Sequence, residues 1–298
     1  MAYLHDEKIK ELEEIANKVR ESTIESLISA GSGHTAGPLG MADIFVLLYF
    51  HTLNHNPDDP HWPERDRLIL SNGHICPSLY ATMAHAGYFP VEELSTLRKF
   101  GSRLQGHPHR EFLPGIETSS GPLGSGLSQA IGMALADRIE HGRSTSHFFY
   151  CVMGDGEINE GQVWEAAMMA GKEQLHNLIG IIDRNNIQID GFTEDVMPLE
   201  PLRDKWESFG WHVIEANGHD FDDMDDAIGQ AKAVFAKPSL IIAHTIPGKG
   251  VEFAERRYDW HGAPPGKGPD DTVPKKDQAA QALNDIRTLG GKIRSEHE

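Results

Sequence analysis

The 298-residue chain reads as an α/β protein built on a doubly wound parallel sheet flanked by helices. Three observations carry that expectation. Short continuous apolar runs, at residues 148–153 and 178–183, alternate with segments whose apolar residues recur at helical spacing. The runs are apolar throughout, as in strands covered on both faces. Each ends in a turn rich in Gly, Asp or Asn, which sets polar groups along one edge of a parallel sheet, where open α/β folds bind ligands.

In chain order, residues 7–30 carry Ile9, Leu12, Ile15, Ala16, Val19, Ile24, Leu27 and Ile28 at helical spacing, with Gly31 as a stop. The loop SGHTAGPLG leads into a second helix over 41–50. A short strand at 68–70 ends in SNGH, and Pro77 opens a helix, as proline does in a first turn. Residues 101–126 form a Gly- and Pro-rich loop holding QGHPHR and SSGPLGSG, and this loop feeds a helix at 126–141.

The run 148–153 is closed by Gly154-Asp155-Gly156 and the run 178–183 by Asn185-Asn186. Val163, Trp164, Ala167 and Met168 mark a helix between them, so this stretch is a βαβ crossover with parallel, buried strands. Two more strands, at 213–216 and 240–245, bracket an acidic-topped helix at 222–235. The expected domain spans residues 1–266. Residues 267–298 read as a polar tail with one short helix at 277–287. There is no internal repeat and no low-complexity tract.

With 27 Lys and Arg against 45 Asp and Glu, the formal charge is -18, which repels nucleic acid and anionic membranes. The acidic stretches 7–14 and 220–226 read as solvated helix faces. Cys76 and Cys151 form no CxxC pair, so no disulfide framework is indicated. The N-terminus lacks an apolar signal core, and the longest apolar run, 44–50, is too short to span a bilayer. A cytoplasmic protein is expected.

The turns at the strand ends carry the chemistry. Asp155 offers a carboxylate, Asn185 an amide oxygen and Ile187 a backbone carbonyl. One carboxylate with neutral oxygens suits a hard cation that also takes oxygens from a diphosphate, Mg²⁺ above all, or Ca²⁺ or Mn²⁺. Gly154 and Gly156 let the backbone approach a phosphate, and the helix that follows is expected to point its N-terminus there. A Gly-Asp-Gly turn alone is ordinary turn chemistry. The Asn pair at the end of the next strand makes it a signature.

GDG followed about thirty residues later by NN resembles the signature of thiamin diphosphate enzymes. EINEGQVWEAAMMAG with NLIGIIDRNNIQIDG is similar to the transketolase family, over about residues 8–266. The resemblance implies thiamin diphosphate with a divalent cation as cofactors. It also implies that His74 binds the diphosphate, while His34, His107 and His261 bind ketose hydroxyls and assist proton transfer. Gly121 and Leu123 would lie against the aminopyrimidine, Ile189 would pack on the cofactor, Glu160 would cross a subunit interface, and Lys249 would reach a phosphate. SGHTAGPLG departs from the commoner SGHPG, though the His and a following Gly remain.

Blander readings stand beside these. A histidine in a turn is often a satisfied surface side chain, Gly121 a plain turn residue, Glu160 a complement to a helix dipole, and Lys249 an exposed cation. Zinc at His107 and His109, or at the four histidines together, lacks both the i,i+4 spacing and an accompanying carboxylate or thiolate.

By resemblance, the chain is expected to be the N-terminal, diphosphate-binding subunit of a split transketolase. It would move a two-carbon ketol unit from a ketose phosphate to an aldose phosphate. The glutamate for the pyrimidine nitrogen and the arginines for the substrate phosphate belong to a second domain in the family, so a pyrimidine-domain partner subunit is expected, in an α2β2 assembly. Three alternatives are a 2-oxo acid dehydrogenase α-like subunit, a deoxyxylulose phosphate synthase-like chain and a non-catalytic binding or regulatory subunit. The histidine-bearing turns favour transketolase over the dehydrogenase, since a 2-oxo acid offers few hydroxyls to read.

Overall fold

A computed structural model describes residues 4–144 and 146–288; residues 289–298 of the polar tail lie outside it. The strands are β1 (Arg67–Leu70), β2 (Phe149–Gly154), β3 (Leu178–Arg184), β4 (Ile187–Gln188), β5 (Gly191–Phe192), β6 (His212–Asn217) and β7 (Ser239–His244). Five of them form one sheet in the order β1-β2-β3-β7-β6, all parallel, and β4 and β5 form a small antiparallel hairpin. The helices are α1 (Asp6–Ala30), α2 (Ala36–Gly40), α3 (Ala42–Leu47), α4 (Cys76–His85), α5 (Ser125–His141), α6 (Gly161–Glu173), α7 (Thr193–Val196), α8 (Leu202–Ser208), α9 (Phe221–Lys232) and α10 (Lys275–Thr288).

The strands are apolar throughout because both faces are covered. Tyr150, Val152, Ile179, Ile181, Ile214 and Ile241 pack under α1, α3, α4 and α9. Their neighbours in the chain, Phe149, Cys151, Met153, Leu178, Ile182 and Leu240, pack under α5, α6 and α8. The chain steps from β1 to β2 to β3, passes over one position to β6, and returns to β7. That reversal puts α9 on the opposite face from α5 and α6, because right-handed crossovers change face when the winding changes direction. Doubly wound is thus the observed topology.

The expected elements are present with small shifts. α1 ends at Gly31, whose φ of 59° is left-handed and whose amide bonds back to Leu27 and Ile28. The helix expected over 41–50 starts earlier, at Ala36, because Pro38 sits in a first turn that needs no amide from it; it continues through a wider turn at Leu48–Thr52. Both cysteines are buried free thiols. Among the described residues no helix is long and apolar enough to cross a membrane.

α10 lies in the stretch that the sequence sets apart as polar. Its Ala282 and Ile286 are fully buried beside Ile24 of α1, Leu39, Phe253 and Trp260, and Gln278 bonds to Pro269, Val273 and the Gly266 amide. A second anchor ties α1 to α3 and to the turn after β6. Arg20 of α1 pairs with buried Asp43 at 2.5 Å and 2.8 Å, and His219 Nδ1 meets the same carboxylate at 2.7 Å. His219 Nε2 accepts from the Ile246 amide, so Nδ1 carries the proton and the ring is neutral. Burial first, and only then the Lys249 and Arg20 cations, hold His219 down at about 4, against the opposing pull of Asp43.

α6 approaches the loop before β6 closely at Gly171. A Cβ at Gly171 would lie 1.9 Å from the Phe209 carbonyl oxygen, whereas one at Gly132 on α5 would meet nothing within 4 Å. Gly171→Ala is expected to destabilise the chain by about 1–3 kcal/mol or more through forced backbone displacement. Gly132→Ala, on an open helix face, should stabilise it by up to about 1 kcal/mol. Denaturant melts of the two variants check this; equal stabilities would contradict the packing described.

Candidate functional site

β1, β2 and β3 end side by side, with Leu70 opposite Val152 and Gly154 opposite Asp183. Their following turns therefore meet at the carboxyl edge of the sheet. Gly73 is required in the first turn, since a Cβ there would stand 2.2 Å from Ser120 Oγ and 3.3 Å from the His107 ring. Glu157 locks the turns together. Its buried carboxylate accepts from Ser71 Oγ, from the Gly124 amide at 2.6 Å and from the Gly154 amide at 2.9 Å, and Ser71 Oγ in turn accepts from the Gly126 amide at 3.0 Å. One side chain thus joins the end of β1, the GPLG loop and the end of β2.

The result is a cleft of ≈ 380 Å³ lined by His34, His74, His107, His261, Gly121, Leu123, Gly154, Asp155, Gly156, Asn185, Ile187 and Ile189. Asn72, Glu157, Asp183, Gln188 and Asp190 complete it. On its floor, Asp155 Oδ1 accepts from the Gly156 amide at 2.7 Å, and Oδ2 accepts from the Asn186 amide at 2.7 Å and from Arg184 at 3.1 Å. Burial pushes the Asp155 carboxyl up to about 6, against the pull of Arg184. Asp183, likewise buried, is pushed up to about 7 despite its bonds from Thr245 and Asn185.

Asp183 has an orienting role. It accepts from Asn185 Nδ2 at 2.7 Å, which turns the Asn185 amide oxygen the other way, toward the Ile187 amide at 3.0 Å. Asn186 supports this turn with a left-handed φ of 64°. Asp155, the Asn185 oxygen and the Ile187 carbonyl are therefore carried on two adjacent strand ends. Two strongly desolvated carboxylates beside neutral oxygens are the donor chemistry of a hard dication.

Above this floor the histidines crowd. Ring centroids lie 4.8 Å apart for His34 and His74, 5.0 Å for His74 and His261, and 5.5 Å for His34 and His261. Burial lowers all four, His34 to about 3 and His74 well below its ordinary value, with His107 and Arg98 adding to the fall at His34. They are neutral imidazoles near pH 7, each able to donate and accept.

Several polar atoms at or beside the cleft are buried with no hydrogen-bond partner among the described residues: both ends of the Asn72 amide, Nδ1 of His34 and His261, Ser120 Oγ and Gln188 Nε2. A buried polar atom without a partner costs about 1–3 kcal/mol. Their convergence is what a site shaped for a polar ligand looks like. Leu123 and Ile189, 37% and 67% exposed, supply apolar walls at the rim.

Two of the expected residues do not line this cleft. Lys249 is 2% exposed and lines a separate cleft of ≈ 560 Å³ over the ends of β3, β6 and β7, together with Arg184, His219 and Thr245; it is a buried group on the far side of β3, not an exposed cation at the histidines. Glu160 stands at the N-cap of α6 and is exposed, with its Cβ 2.8 Å from where a Gly124 Cβ would be. The expected helix N-terminus behind GDG is also corrected. Residues Gly156–Asn159 form a single 3₁₀ turn and α6 begins only at Gly161. The Gly154 and Gly156 amides are already taken by Glu157 and Asp155, which leaves a phosphate to the cation and the neutral donors.

Sequence reasoning missed Glu157, Asp183, Arg184 and Asn72. Asp183 and Arg184 were legible in part, as two charged residues closing an otherwise apolar strand. Glu157 gave no signal, since two of its three partners, Ser71 and Gly124, are distant in the chain.

A family model described as the transketolase, thiamine diphosphate binding domain matches residues 12–279. The 6-deoxy-6-sulfo-D-fructose transketolase subunit SqwG of Clostridium sp. (strain MSTE9) is 46% identical over 251 residues, covering 84% of this chain and 90% of that protein. One of the subunits of the apulose-4-phosphate transketolase of Phocaeicola vulgatus is 39% identical over 290 residues, covering 97% and 99%. Transketolase 2 of Escherichia coli is 42% identical, but the match covers only 39% of that protein. Among solved structures, a transketolase from Campylobacter jejuni superimposes with a TM-score of 0.80 at 35% identity, over 95% of this chain and 47% of that one. The chain thus spans nearly all of the relatives named as subunits and less than half of the longer ones.

The neutral state of the histidines is testable by linkage. With a folded pKa of about 3 against an ordinary 6.5, His34 stays uncharged while the unfolded chain takes up a proton, so stability is lost as pH falls below 6.5. Asp155 and Asp183, raised to about 6 and 7, act oppositely and lose stability as pH rises through that range, so a single-site comparison is needed. Relative to wild type, His34→Asn should gain up to about 2 kcal/mol on going from pH 7.5 to pH 5. Denaturant titrations at both pH values read this, and a difference that does not change with pH would contradict a neutral, buried His34.

Proposed function

The chain belongs to the transketolase family, in which it corresponds to the thiamine diphosphate-binding domain, and from that premise we propose that it is one subunit of a two-chain transketolase. The pair moves a two-carbon ketol unit from a ketose phosphate to an aldose phosphate. The observation that carries this reading is the meeting of Asp155, Asn185 and Ile187 with four neutral histidines in one cleft.

Each residue's part follows from its surroundings. Asp155, held by Arg184 and the Asn186 amide, gives its carboxylate to the divalent cation, with the Asn185 oxygen and Ile187 carbonyl beside it. His74 lies deepest among the histidines and takes the diphosphate side, while His34, His107 and His261 hold sugar hydroxyls. Neutral rings donate to and accept from those hydroxyls without bringing fixed charge into the cleft. Leu123 and Ile189 exclude water from the rim, and Gly121, beside which a Cβ would meet nothing within 4 Å, leaves room for a flat ring. Thiamin diphosphate, when bound, supplies a thiazolium carbon able to hold the electron pair of a broken carbon–carbon bond.

The near-complete coverage of relatives named as subunits supports a separate partner chain. That partner would carry the pyrimidine-binding groups and grip the anionic end of the sugar. Exposed Glu160 and the apolar rim at Leu123 and Ile189 are suited to meet another subunit, in an α2β2 assembly. A cytoplasmic setting in sugar phosphate interconversion, as in the pentose phosphate pathway, accords with this chemistry. The subunit relatives are named for a sulfosugar and a branched sugar phosphate, so either class is a candidate donor.

The test is reconstitution. The chain is mixed with a pyrimidine-domain chain, thiamin diphosphate and Mg²⁺, and ketol transfer is followed with simple, sulfonated and branched ketoses. Asp155→Asn should lower cofactor affinity by about 100-fold or more, roughly 2.7 kcal/mol, and transfer in parallel. Since Asp155 is pushed up to about 6, Mg²⁺-dependent binding should weaken as pH falls below that value. Cofactor binding and transfer unchanged in Asp155→Asn would overturn the assignment.

A further inference from the structure

A second cluster of metal-ligating side chains stands at the opposite, amino edge of the sheet. Asp137 and His141 are four residues apart near the C-terminal end of α5, and His147 precedes β2. His147 Nδ1 lies 2.7 Å and His141 Nδ1 3.0 Å from the same oxygen, Asp137 Oδ1, and the three ligand atoms are all within 4.8 Å of one another. A tetrahedral site with metal–ligand distances near 2.0–2.1 Å has edges of about 3.3 Å. The two edges at Asp137 Oδ1, 2.7 Å and 3.0 Å, are hydrogen-bond lengths and would widen by a few tenths of an ångström on binding, while exposed His141 is free to turn in toward His147.

The surroundings of His147 carry the argument. Its other nitrogen, Nε2, lies 3.1 Å from Glu64 Oε2, so both ring nitrogens face carboxylate oxygens. A neutral imidazole has one proton and can satisfy one of them. The ring therefore needs a second proton, or one proton toward Glu64 and a cation on Nδ1. A carboxylate on the distal nitrogen of a ligating histidine is the usual support of a metal site. The other Asp137 oxygen is also held, by Asn177 Nδ2 at 3.3 Å. Two carboxylates and two imidazoles balance one dication. Asp137 and His147 are 7% and 9% exposed while His141 is 46% exposed, which leaves one side open for water ligands.

We propose that Asp137, His141 and His147 bind a divalent cation of the zinc class, with Glu64 and Asn177 holding the ligands in place. Imidazole and carboxylate donors suit zinc, cobalt and nickel better than magnesium. On binding, the proton on His147 Nδ1 leaves to the buffer and the metal takes the freed lone pair, while Nε2 keeps its proton toward Glu64; exposed His141 changes tautomer, its proton moving through solvent from Nδ1 to Nε2, so that its Nδ1 lone pair is free as well. Asp66, Arg67 and His176 are further charged or titratable groups in electrostatic reach of the cluster. The metal would tie the end of α5 to the entrance of β2 and has no part in the cleft described above.

The full chain, stripped with chelator, is titrated with zinc chloride in buffers of different ionisation enthalpy, and cobalt(II) is used as a spectroscopic probe. One equivalent should bind with release of a proton and raise the melting temperature. His141→Ala should weaken zinc by at least about 100-fold and abolish the intense cobalt visible band. Glu64→Gln should weaken zinc by about 10–100-fold, while Asp155→Asn should leave the band intact. Absence of zinc binding at micromolar metal, or binding equal in wild type, His141→Ala and Glu64→Gln, would overturn the proposal and leave a hydrogen-bonded imidazolium only.

Discussion

Glu157 is the interaction on which the cleft depends. A carboxylate taken out of water is expensive unless donors replace the water, and here Ser71 Oγ and the amides of Gly124 and Gly154 do so. Each donor belongs to a different segment: the end of β1, the loop before α5 and the end of β2. Their positions are therefore coupled through one group. Gly124 supports the arrangement with a left-handed φ of 80°, and the turn it closes sets Gly121 and Leu123 at the rim. Removing the carboxylate would leave buried amides without partners and release three loops together.

The electrostatics of the cleft follow from burial more than from charge. A chain with a formal charge of -18 takes an anionic cofactor without lining its cleft with lysines and arginines. Arg184, which touches the floor, lies behind Asp155 and is itself held by Glu194 and Glu200. Positive charge is left for a dication to provide, between carboxylates that burial has pushed up, while uncharged histidines supply donors. This division keeps the histidine end of the cleft free of fixed charge and rich in neutral donors and acceptors.

Much of this was legible in the sequence. Apolar runs covered on both faces and Gly- or Asn-closed turns gave the parallel sheet, and parallel winding alone brings Asp155, Asn185 and the SNGH turn to one edge. The residues that orient those ligands were legible at most in part, because their roles depend on which way each side chain turns and, for Glu157, on contacts with distant segments. Asp183 reads as the last residue of a strand and Glu157 as a turn residue, until the fold sets them against Asn185 and Gly124. Lys249 misled for the opposite reason: a lysine between glycines reads as a free cation, yet the loop turns it under His219 on the far side of β3. The buried face of α10 was hidden by its polar composition, since two apolar residues one turn apart suffice to seat it on α1.

On this account one cation, held by Asp155, Asn185 and Ile187, organises the cleft for a diphosphate. Anomalous diffraction from crystals of the chain grown with Mn²⁺ and thiamin diphosphate tests it most directly. The account predicts a manganese peak beside the Asp155 carboxylate, the Asn185 amide oxygen and the Ile187 carbonyl, with the diphosphate next to it. A cofactor bound with its diphosphate away from these three groups, or manganese seated only at other carboxylates, would contradict it.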